Sequence, residues 1–335
     1  MNLLLTSVGR RTYMIKYFKS ALQGKGKVFA SNSIYTYTLK EADEFVLSPQ
    51  IYDEGYVNFL IKYCKEKNIS AIISLFDIDL PILSKNKALF DKENIKLIVS
   101  DYKVTQICND KWETYKFLKG IGLKQPATFI SINEVKRELS DGKLQFPLFI
   151  KPRWGMGSIG IYKIDNAEEF DVLYRKLHDE IFNTYLRFES SLAPDSCILI
   201  QQSIKGQEYG VEVLNDLAGN YISTFAKVKI AMRAGETDIA ETVSSDPFEK
   251  TAGKISKNLK HVGILDMDCF MTEKGDLYVL EMNCRFGGQY PFTHNAGVNI
   301  PAQLVSWLKG DKTNFDFLKQ KNGVRSCKDL VPVII

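Results

Sequence analysis

Two stretches of this 335-residue chain carry residue types and spacings suited to phosphate chemistry. The first is "FPLFIKPRWGMGSIGIYKI", residues 146–164, in which Lys151 closes an apolar run and Gly155, Gly157 and Gly160 follow, with Ser158 among them. The second is "LDMDCFMTEKGDLYVLEMNCRFGG", residues 265–288, which holds Asp268, Glu281, Asn283 and Arg285.

The glycines of the first stretch spell G-x-G-x-x-G. A dinucleotide fingerprint needs those glycines to open a helix, because the pyrophosphate rests on the helix N-terminus. Here "IYKI" follows Gly160, rich in β-branched and aromatic types, and the next helix is expected only near Asn166. A Walker A loop needs its lysine after the glycines, whereas Lys151 precedes them. A protein kinase needs H-R-D and D-F-G downstream, and neither occurs. What remains is a strand ending in lysine, a flexible loop and a returning strand. Such a flap can lie over phosphates, its backbone N–H groups coming close where Cβ atoms are missing. A glycine-rich hairpin without a ligand fits the same stretch.

In the second stretch a turn at Lys274-Gly275 makes a hairpin that sets Asp268 and Glu281 on opposite arms, where paired residues face each other. Asn283, two positions after Glu281, projects to the same side, and Arg285 continues it if the strand persists. Asp266 shares the face of Asp268 and is the second candidate for the first metal position. Hard oxygen donors of this kind suit Mg²⁺, which takes one or two carboxylates while substrate phosphates complete its shell. A surface hairpin with incidental carboxylates is the alternative, but "VLEMN" sets its Glu among apolar neighbours, where an unpaired charge is costly. Between the two stretches, "CILIQQSIKGQEYGVEV" reads strand, connection, strand. Backbone groups from Gln201 to Ile204 could there meet a purine edge.

The elements that must position these residues are legible as patterns. Short apolar runs, "NLLLTS", "KVFAS", "EFVLS", "AIISLF" and "IKLIVS", alternate with helix-length amphipathic segments up to about residue 100, the signature of a parallel sheet covered by helices. Residues 126–204 read strand, helix, strand, glycine loop, strand, helix, strand. Beyond them hairpin signals at Ala218-Gly219 and Lys274-Gly275 predict an antiparallel sheet. The expected fold class is therefore α/β followed by α+β, with domains at 1–100 and 101–310, lobes at about 126–204 and 205–310, and a tail at 311–335 packed on the core.

Composition restricts the function classes. With 44 Lys plus Arg against 40 Asp plus Glu the net charge is +4, and the basic residues are dispersed, so no nucleic-acid partner is implied. Six cysteines form no C-x-x-C pair, which fits reduced thiols in a cytoplasmic protein. The N-terminal apolar run is too short for a signal peptide and reads as a first strand. No apolar stretch reaches the ~20 residues of a membrane span.

Taken in order, these motifs resemble the ATP-grasp superfamily over nearly the whole chain, and in particular stand-alone proteins similar to the large subunit of carbamoyl-phosphate synthase. The resemblance implies a pre-ATP-grasp α/β domain before a two-lobed ATP-grasp domain. It puts Lys111, in "NDKWETY", and Lys151 on the ATP phosphates, Gly155, Gly157, Ser158 and Gly160 in the flap, and Gln201, Gln202, Ser203 and Ile204 at the adenine. Gln201 stands where many relatives carry Glu. Glu208 corresponds to the ribose ligand, and Asp268, Glu281 and Asn283 to the metal ligands. "MRAGETDIAETV", residues 232–243, resembles a loop over triphosphate and acceptor, which nominates Arg233 and Glu236 for substrate. Arg285 would stabilise charge at the reacting centre, with Gly287 and Gly288 offering backbone N–H groups.

The implied chemistry is ATP-dependent joining of a carboxylate to an amine or thiol through an acyl phosphate, with Mg²⁺ or, in its place, Mn²⁺, and a homodimer is one assembly the resemblance implies, the oligomeric state itself being open. A carboxylate or carbamate kinase, a split half of a carbamoyl-phosphate synthase and an ATP-binding regulatory subunit are the competing readings. His178, His261 and His294 have no evident partners, and only His294 falls near the expected substrate.

Overall fold

The structure is a computed structural model, and it describes residues 1–155 and 159–334. Gly157 and Ser158 of the expected flap lie outside the described residues. No described helix is long and apolar enough to cross a membrane.

The first five apolar runs form β1 (Asn2–Thr6), β2 (Val28–Asn32), β3 (Glu44–Leu47), β4 (Ile69–Ser74) and β5 (Lys96–Leu97), all parallel, in the order β3-β2-β1-β4-β5. The helix Thr12–Leu22 buries Met14, Ile15, Phe18 and Leu22, one stripe of its surface, as the period of the sequence requires. Strand order reverses between β1 and β4, and open parallel sheets have a crevice at such a point, beyond the strands' carboxyl ends. The loops that leave β1 and β4 there carry Arg11 and Asp77. Buried Asp79 rivets this end of the sheet: it accepts hydrogen bonds from Thr6 Oγ1 (2.5 Å), Ser74 Oγ (2.8 Å) and Tyr56 Oη (2.8 Å).

Next come β6 (Thr128–Phe129), β7 (Leu148–Pro152), β8 (Tyr162–Ile164) and β9 (Ile198–Gln202), an antiparallel sheet in the order β6-β9-β7-β8. The helices Ile132–Ser140 and Ala167–Phe182 fall where the sequence predicts them. The second half builds β10 (Gln207–Asn215), β11 (Tyr221–Arg233), β12 (Glu236–Val243), β13 (Ile264–Met271) and β14 (Leu277–Asn283), closed at one edge by β15 (Arg325–Cys327), in the order β14-β13-β10-β11-β12-β15. Both expected hairpins form. At the first, Asp216 Oδ1 accepts from the backbone N–H groups of Ala218 (2.9 Å) and Asn220 (2.8 Å).

The segment 232–243 differs from its expected loop: it is the end of β11 and all of β12, joined by Ala234 and Gly235, both at positive φ (48° and 78°). Two such residues make the two-residue turn that matches strand twist, and from Ala240 to Val243 the far arm alternates buried and partly exposed side chains. The tail packs through Leu318 and β15, whereas Leu330, Val331 and Ile334 project outward.

Buried apolar side chains fall into three clusters. Two of them run from the parallel sheet into the six-stranded sheet, one through Leu4, Leu60 and Met267, the other through Leu5, Phe18, Phe286 and Leu304. The third, with Leu148, Ile150, Phe170, Leu177, Ile198 and Ile200, is confined to the four-stranded lobe. That lobe also touches the parallel-sheet unit at its surface, where the Tyr52 and Phe188 rings stack at 4.2 Å and Tyr52 Oη donates to Glu189.

Candidate active site

The six-stranded sheet has two chemically opposite faces, and the alternation of its strands makes them so. Val211, Val213, Leu265, Met267, Cys269, Val279 and Met282 point to one side, where helix Asp246–Leu259 covers them. The other face carries Glu208 and Glu212 on β10, Lys227 and Lys229 on β11, Asp266 and Asp268 on β13, and Glu281 and Asn283 on β14. Register fixes their neighbours: Asp268 lies opposite Glu281, Asp266 opposite Asn283, and Gly210 between Lys227 and Asp268.

These charges are neutralised pairwise. Deepest is Lys227 Nζ at 2.5 Å from Glu212 Oε1, both fully buried, with Thr293 Oγ1 donating to the other carboxylate oxygen at 2.8 Å. Nearer the opening, Lys229 Nζ donates to Glu208 Oε1 and Asp268 Oδ1, each at 2.7 Å. Burial works against the Lys229 ammonium, but Asp268 and Glu208 reverse this and raise its pKa above the ordinary lysine value. Burial likewise opposes ionisation of Asp268, yet Lys229 holds that carboxyl below its usual range. At Asp266 burial prevails over Arg285, and Asp268 and Glu212 add to the rise. Gln289 Nε2 bridges the two aspartates at 2.5 Å (Asp266) and 3.2 Å (Asp268). It fits because residue 210 is glycine: a Cβ there would stand 1.7 Å from Gln289 Oε1.

Strand β14 ends at Asn283, so Arg285 does not continue the ladder but turns toward the parallel sheet. Its Nε and Nη2 donate to Asp77 Oδ2 at 2.9 and 2.6 Å, and its Nη1 to Asp266 Oδ2 at 3.2 Å and the Phe286 carbonyl at 3.4 Å. All but one of the guanidinium hydrogens are thereby engaged. Gly287 is required by the same group, since a Cβ there would lie 2.2 Å from Asp266 Oδ2. Arg11 Nη1 ties the turn to the crevice by donating to Leu75 O (2.6 Å) and Phe286 O (2.9 Å).

The four-stranded sheet forms the opposing wall. Leu148, Ile150, Ile198 and Ile200 fill its own core, so Lys151, Leu199 and Gln201 lie on its other face, where they too are buried. Burial lowers the Lys151 pKa to about 8; Glu281 and Asp268 pull it up and Lys111 pushes it down. The two lysines and the two carboxylates expected from sequence thus share one electrostatic neighbourhood. Lys111 opens the helix Lys111–Gly120, and its Nζ donates to the carbonyl of Gly155 at the base of the glycine segment. Asp110 caps that helix and takes a bidentate pair from Arg153 (2.8 and 2.7 Å), locking helix to strand end. Gly155 (φ 119°) and Gly160 (φ 68°) flank the segment in conformations that favour glycine.

Gln201 Nε2 donates to Thr128 Oγ1 at 3.0 Å, and Gln202, Ser203 and Ile204 lie at the end of β9 and the start of the link from one sheet to the other. Arg233 turns outward to Asp238 and to the Lys328 carbonyl. Glu236 pairs with Lys328 Nζ at 2.7 Å. His261 is fully buried against Val213 O (3.1 Å), and His294 stacks on Tyr17 at a centroid distance of 3.6 Å, so both serve packing. Asp77, Asp110, Arg153, Lys229 and Gln289 were not anticipated. The alternation "AKVKI" carries a signal for Lys227 and Lys229, two cations on one face of a strand; the others meet their partners only through tertiary structure.

No three His, Cys, Asp or Glu side chains converge closely enough to hold a metal alone among the described residues. Asp268 and Glu281, directly opposed, with Asn283 beside them, supply hard oxygen donors for part of a shell. This donor set fits a Mg²⁺ whose remaining ligands come with a nucleotide.

The sequence profile of the ATP-grasp domain matches residues 108–289, and that of the PylC-like N-terminal domain matches residues 3–98. Among curated proteins, the vancomycin/teicoplanin A-type resistance protein VanA of Enterococcus faecium is 26% identical over 245 residues, covering 66% of this chain and 66% of that protein. A carbamoyl-phosphate synthase of Methanobrevibacter smithii is 25% identical over 265 residues, 73% of this chain and 65% of that one. The chain thus spans just under two thirds of the length of these relatives. Among solved structures, the biotin carboxylase domain of Hydrogenobacter thermophilus 2-oxoglutarate carboxylase, in complex with MgADP, ADP and bicarbonate, superposes with a TM-score of 0.74 at 18% identity, covering 96% of this chain and 73% of that one.

Proposed function

Because the chain belongs to the ATP-grasp family, we propose that it is an ATP-dependent ligase that joins a carboxylate to an amine through an acyl phosphate. The observation that carries this reading is the meeting of the two sheets' charges: Lys151 of the four-stranded sheet, with Lys111, lies within electrostatic reach of Asp268 and Glu281, which pair across β13 and β14 of the six-stranded sheet. A polyphosphate is the ligand that satisfies both walls, its oxygens meeting the lysines and a shared cation meeting the carboxylates. Mg²⁺, held by Asp268, Glu281 and Asn283, would neutralise phosphate charge. Mn²⁺ could take its place.

The chain's own residues account for the remaining demands. Phosphoryl transfer depends on alignment and charge neutralisation more than on a covalent group of the protein. Lys111 and Lys151 hold the phosphates while the substrate carboxylate oxygen attacks the γ-phosphorus and ADP leaves. The amine nitrogen then attacks the acyl carbon, the carbon–oxygen bond to phosphate breaks, and the nitrogen gives up a proton. With four guanidinium hydrogens engaged, Arg285 acts first as a fixed positive charge, and the backbone N–H groups at Gly287 and Gly288 are the candidates for an oxyanion.

The test is ADP release from Mg·ATP across a panel of carboxylic acids and amines, with mass spectrometry of products and hydroxylamine as a trap for acyl phosphate. An amide formed with ADP supports the proposal. Acyl phosphate trapped without amide from any amine would make the protein a carboxylate kinase. Glu281→Ala, expected to keep the fold and abolish Mg²⁺-dependent ADP release, removes Glu281 from the metal set if it stays fully active.

A further inference from the structure

The turn after Arg285 is glycine for a steric reason, and that choice leaves its peptide planes to be fixed from elsewhere. Gly287 is buried, and a Cβ on it would lie 2.2 Å from Asp266 Oδ2. Two successive glycines give the backbone between Phe286 and Gln289 a wide choice of φ and ψ, so chain stereochemistry alone does not decide which way each plane faces.

The planes are decided by what holds their carbonyls. Arg11 Nη1 commits both of its hydrogens to backbone oxygens, Leu75 O just past β4 (2.6 Å) and Phe286 O (2.9 Å). Arg285 Nη1 reaches the same Phe286 oxygen only at 3.4 Å. The next carbonyl, Gly287 O, accepts from Tyr290 N–H at 3.2 Å. Arg11 works from a fixed base, because its own N–H donates to Val8 O (3.0 Å) and its carbonyl accepts from Met14 N–H (2.9 Å). The Phe286–Gly287 bond is trans, so the Gly287 N–H points opposite to the carbonyl that Arg11 holds. Neither this N–H nor that of Gly288 has an acceptor among the described residues. Buried N–H groups without partners are rare, and one held in place marks a position where a ligand supplies the acceptor.

We propose that Arg11 is a positioning residue for the amide-forming step: by gripping the Phe286 carbonyl from the parallel-sheet unit, it aims the Gly287 N–H at the acyl oxygen. As the amine nitrogen bonds to the acyl carbon, the carbonyl electron pair moves onto that oxygen, where the N–H meets its charge. The pair returns as the carbon–oxygen bond to phosphate breaks, and the nitrogen's proton passes to water. Arg11 acts through the peptide and not on the reacting atoms. The earlier step, transfer of the γ-phosphoryl group, places its charge on phosphate oxygens and has no use for this N–H. The inference rests on the ligase function proposed above and says which of its two steps depends on the parallel-sheet unit.

The test is rapid-quench kinetics on the full chain, with Mg·ATP and the acid and amine of the screening panel that give the most amide. ADP and amide formed in the first turnover are read separately, and acyl phosphate is trapped with hydroxylamine after the quench. Arg11→Met should slow amide formation by about tenfold to a hundredfold, less than outright removal of an oxyanion donor. The rate of ADP formation and the KM for ATP should stay near those of the parent, so that acyl phosphate accumulates. Arg11→Lys, which keeps a donor for the same carbonyl, should recover most of the loss. Should Arg11→Met not fold, Arg11→Gln, whose shorter amide cannot span both carbonyls, replaces it with the same expectation. Ser100→Ala removes a different hydrogen bond between the same two units, Ser100 Oγ accepting from Val262 N–H at 2.9 Å, and should lower thermal stability without changing the ratio of the two rates. The proposal is overturned if the Arg11 variant slows both steps alike or neither, if Arg11→Lys recovers nothing, or if Ser100→Ala changes the ratio as much. A parent that forms no amide from any mixture overturns the ligase and this inference together. A parent that forms amide no faster than Arg11→Met overturns this inference and keeps the ligase.

Discussion

Replacing Asp77 by Asn tests whether the parallel-sheet unit is part of the reaction site or only its neighbour. Asp77 and Arg285 are 5% and 8% exposed, and one carboxylate oxygen of Asp77 takes two hydrogen bonds from the guanidinium. Asn keeps the shape but removes the charge, and its amide hydrogens can be turned toward donors. Breaking a buried pair by removing one partner costs about 3–5 kcal/mol. Asp266, still 3.2 Å from Nη1, remains as a counter-charge and places the expectation at the lower end, about 3 kcal/mol. With an unfolding entropy of ~2.1 cal/mol/K per residue this corresponds to a fall in Tm of about 4 °C over all 335 residues, or about 6 °C for the transition of the two units that share Asp77 and Arg285 once the four-stranded lobe has opened. The measurement is a double-mutant cycle on thermal stability and on ADP release, using Asp77→Asn, Arg285→Met and their combination. A coupling energy of about 1.5 kcal/mol or more is expected, because Arg285→Met alone strands the Asp77 charge and the double variant does not, while the lost Asp266 contact is common to both and cancels in the cycle. Additive losses, or an Asp77→Asn protein within about 0.5 kcal/mol of the parent, would refute the reasoning.

Gly210→Ala puts a methyl group 1.7 Å from Gln289 Oε1 and must expel that side chain from Asp266 and Asp268. A loss of about 1–3 kcal/mol is expected, partly restored by adding Gln289→Ala, with denaturant unfolding as the readout. Buried His261 has its pKa lowered by burial to about 4 from 6.5, so its neutral form belongs to the native state. The unfolded chain binds the extra proton between these values. Stability is thus lost as pH falls from about 6.5 to about 4, by up to about 3 kcal/mol, and His261→Gln should flatten that part of the stability–pH curve. Lys151, lowered to about 8 by burial, loses its charge above that pH in the nucleotide-free protein. The KM for ATP should therefore climb above pH 8 and stay level in Lys151→Arg; equal pH profiles would remove Lys151 from the phosphates.

The parallel sheet was legible because both of its faces are covered, which turns strands into continuous apolar runs separated by amphipathic helices. The strands β13 and β14, with the candidate metal donors, were legible for a different reason: in "LDMDC" and "VLEMN" polar residues alternate with apolar ones, so face and partner follow from period and turn alone. Arg285 shows where this ends. Its partner Asp77 lies 208 positions away, and the pairing depends on how two sheets dock, for which neither local sequence carries a signal. The resemblance implies a loop over residues 232–243, whereas the chain forms the β11–β12 hairpin, because Ala234 adopts the left-handed conformation usually left to glycine or asparagine and Gly235 completes the turn.

The separate core of the four-stranded lobe divides the molecule along a line that the order of the sequence does not suggest. Residues 1–100 and the second half of the chain share two apolar clusters and must melt together, whereas the lobe between them is bound to the rest by two connections, the Asp110–Arg153 pair with its neighbouring Lys111–Gly155 contact, and surface contacts such as Tyr52 on Phe188. Its opening therefore costs far less than global unfolding, and heat or denaturant should reach it first. A ligand that touches both walls joins the two units into one cooperative body. At a hundredfold excess over Kd such a ligand adds about 2.7 kcal/mol, and the gain falls on the least stable part of the fold.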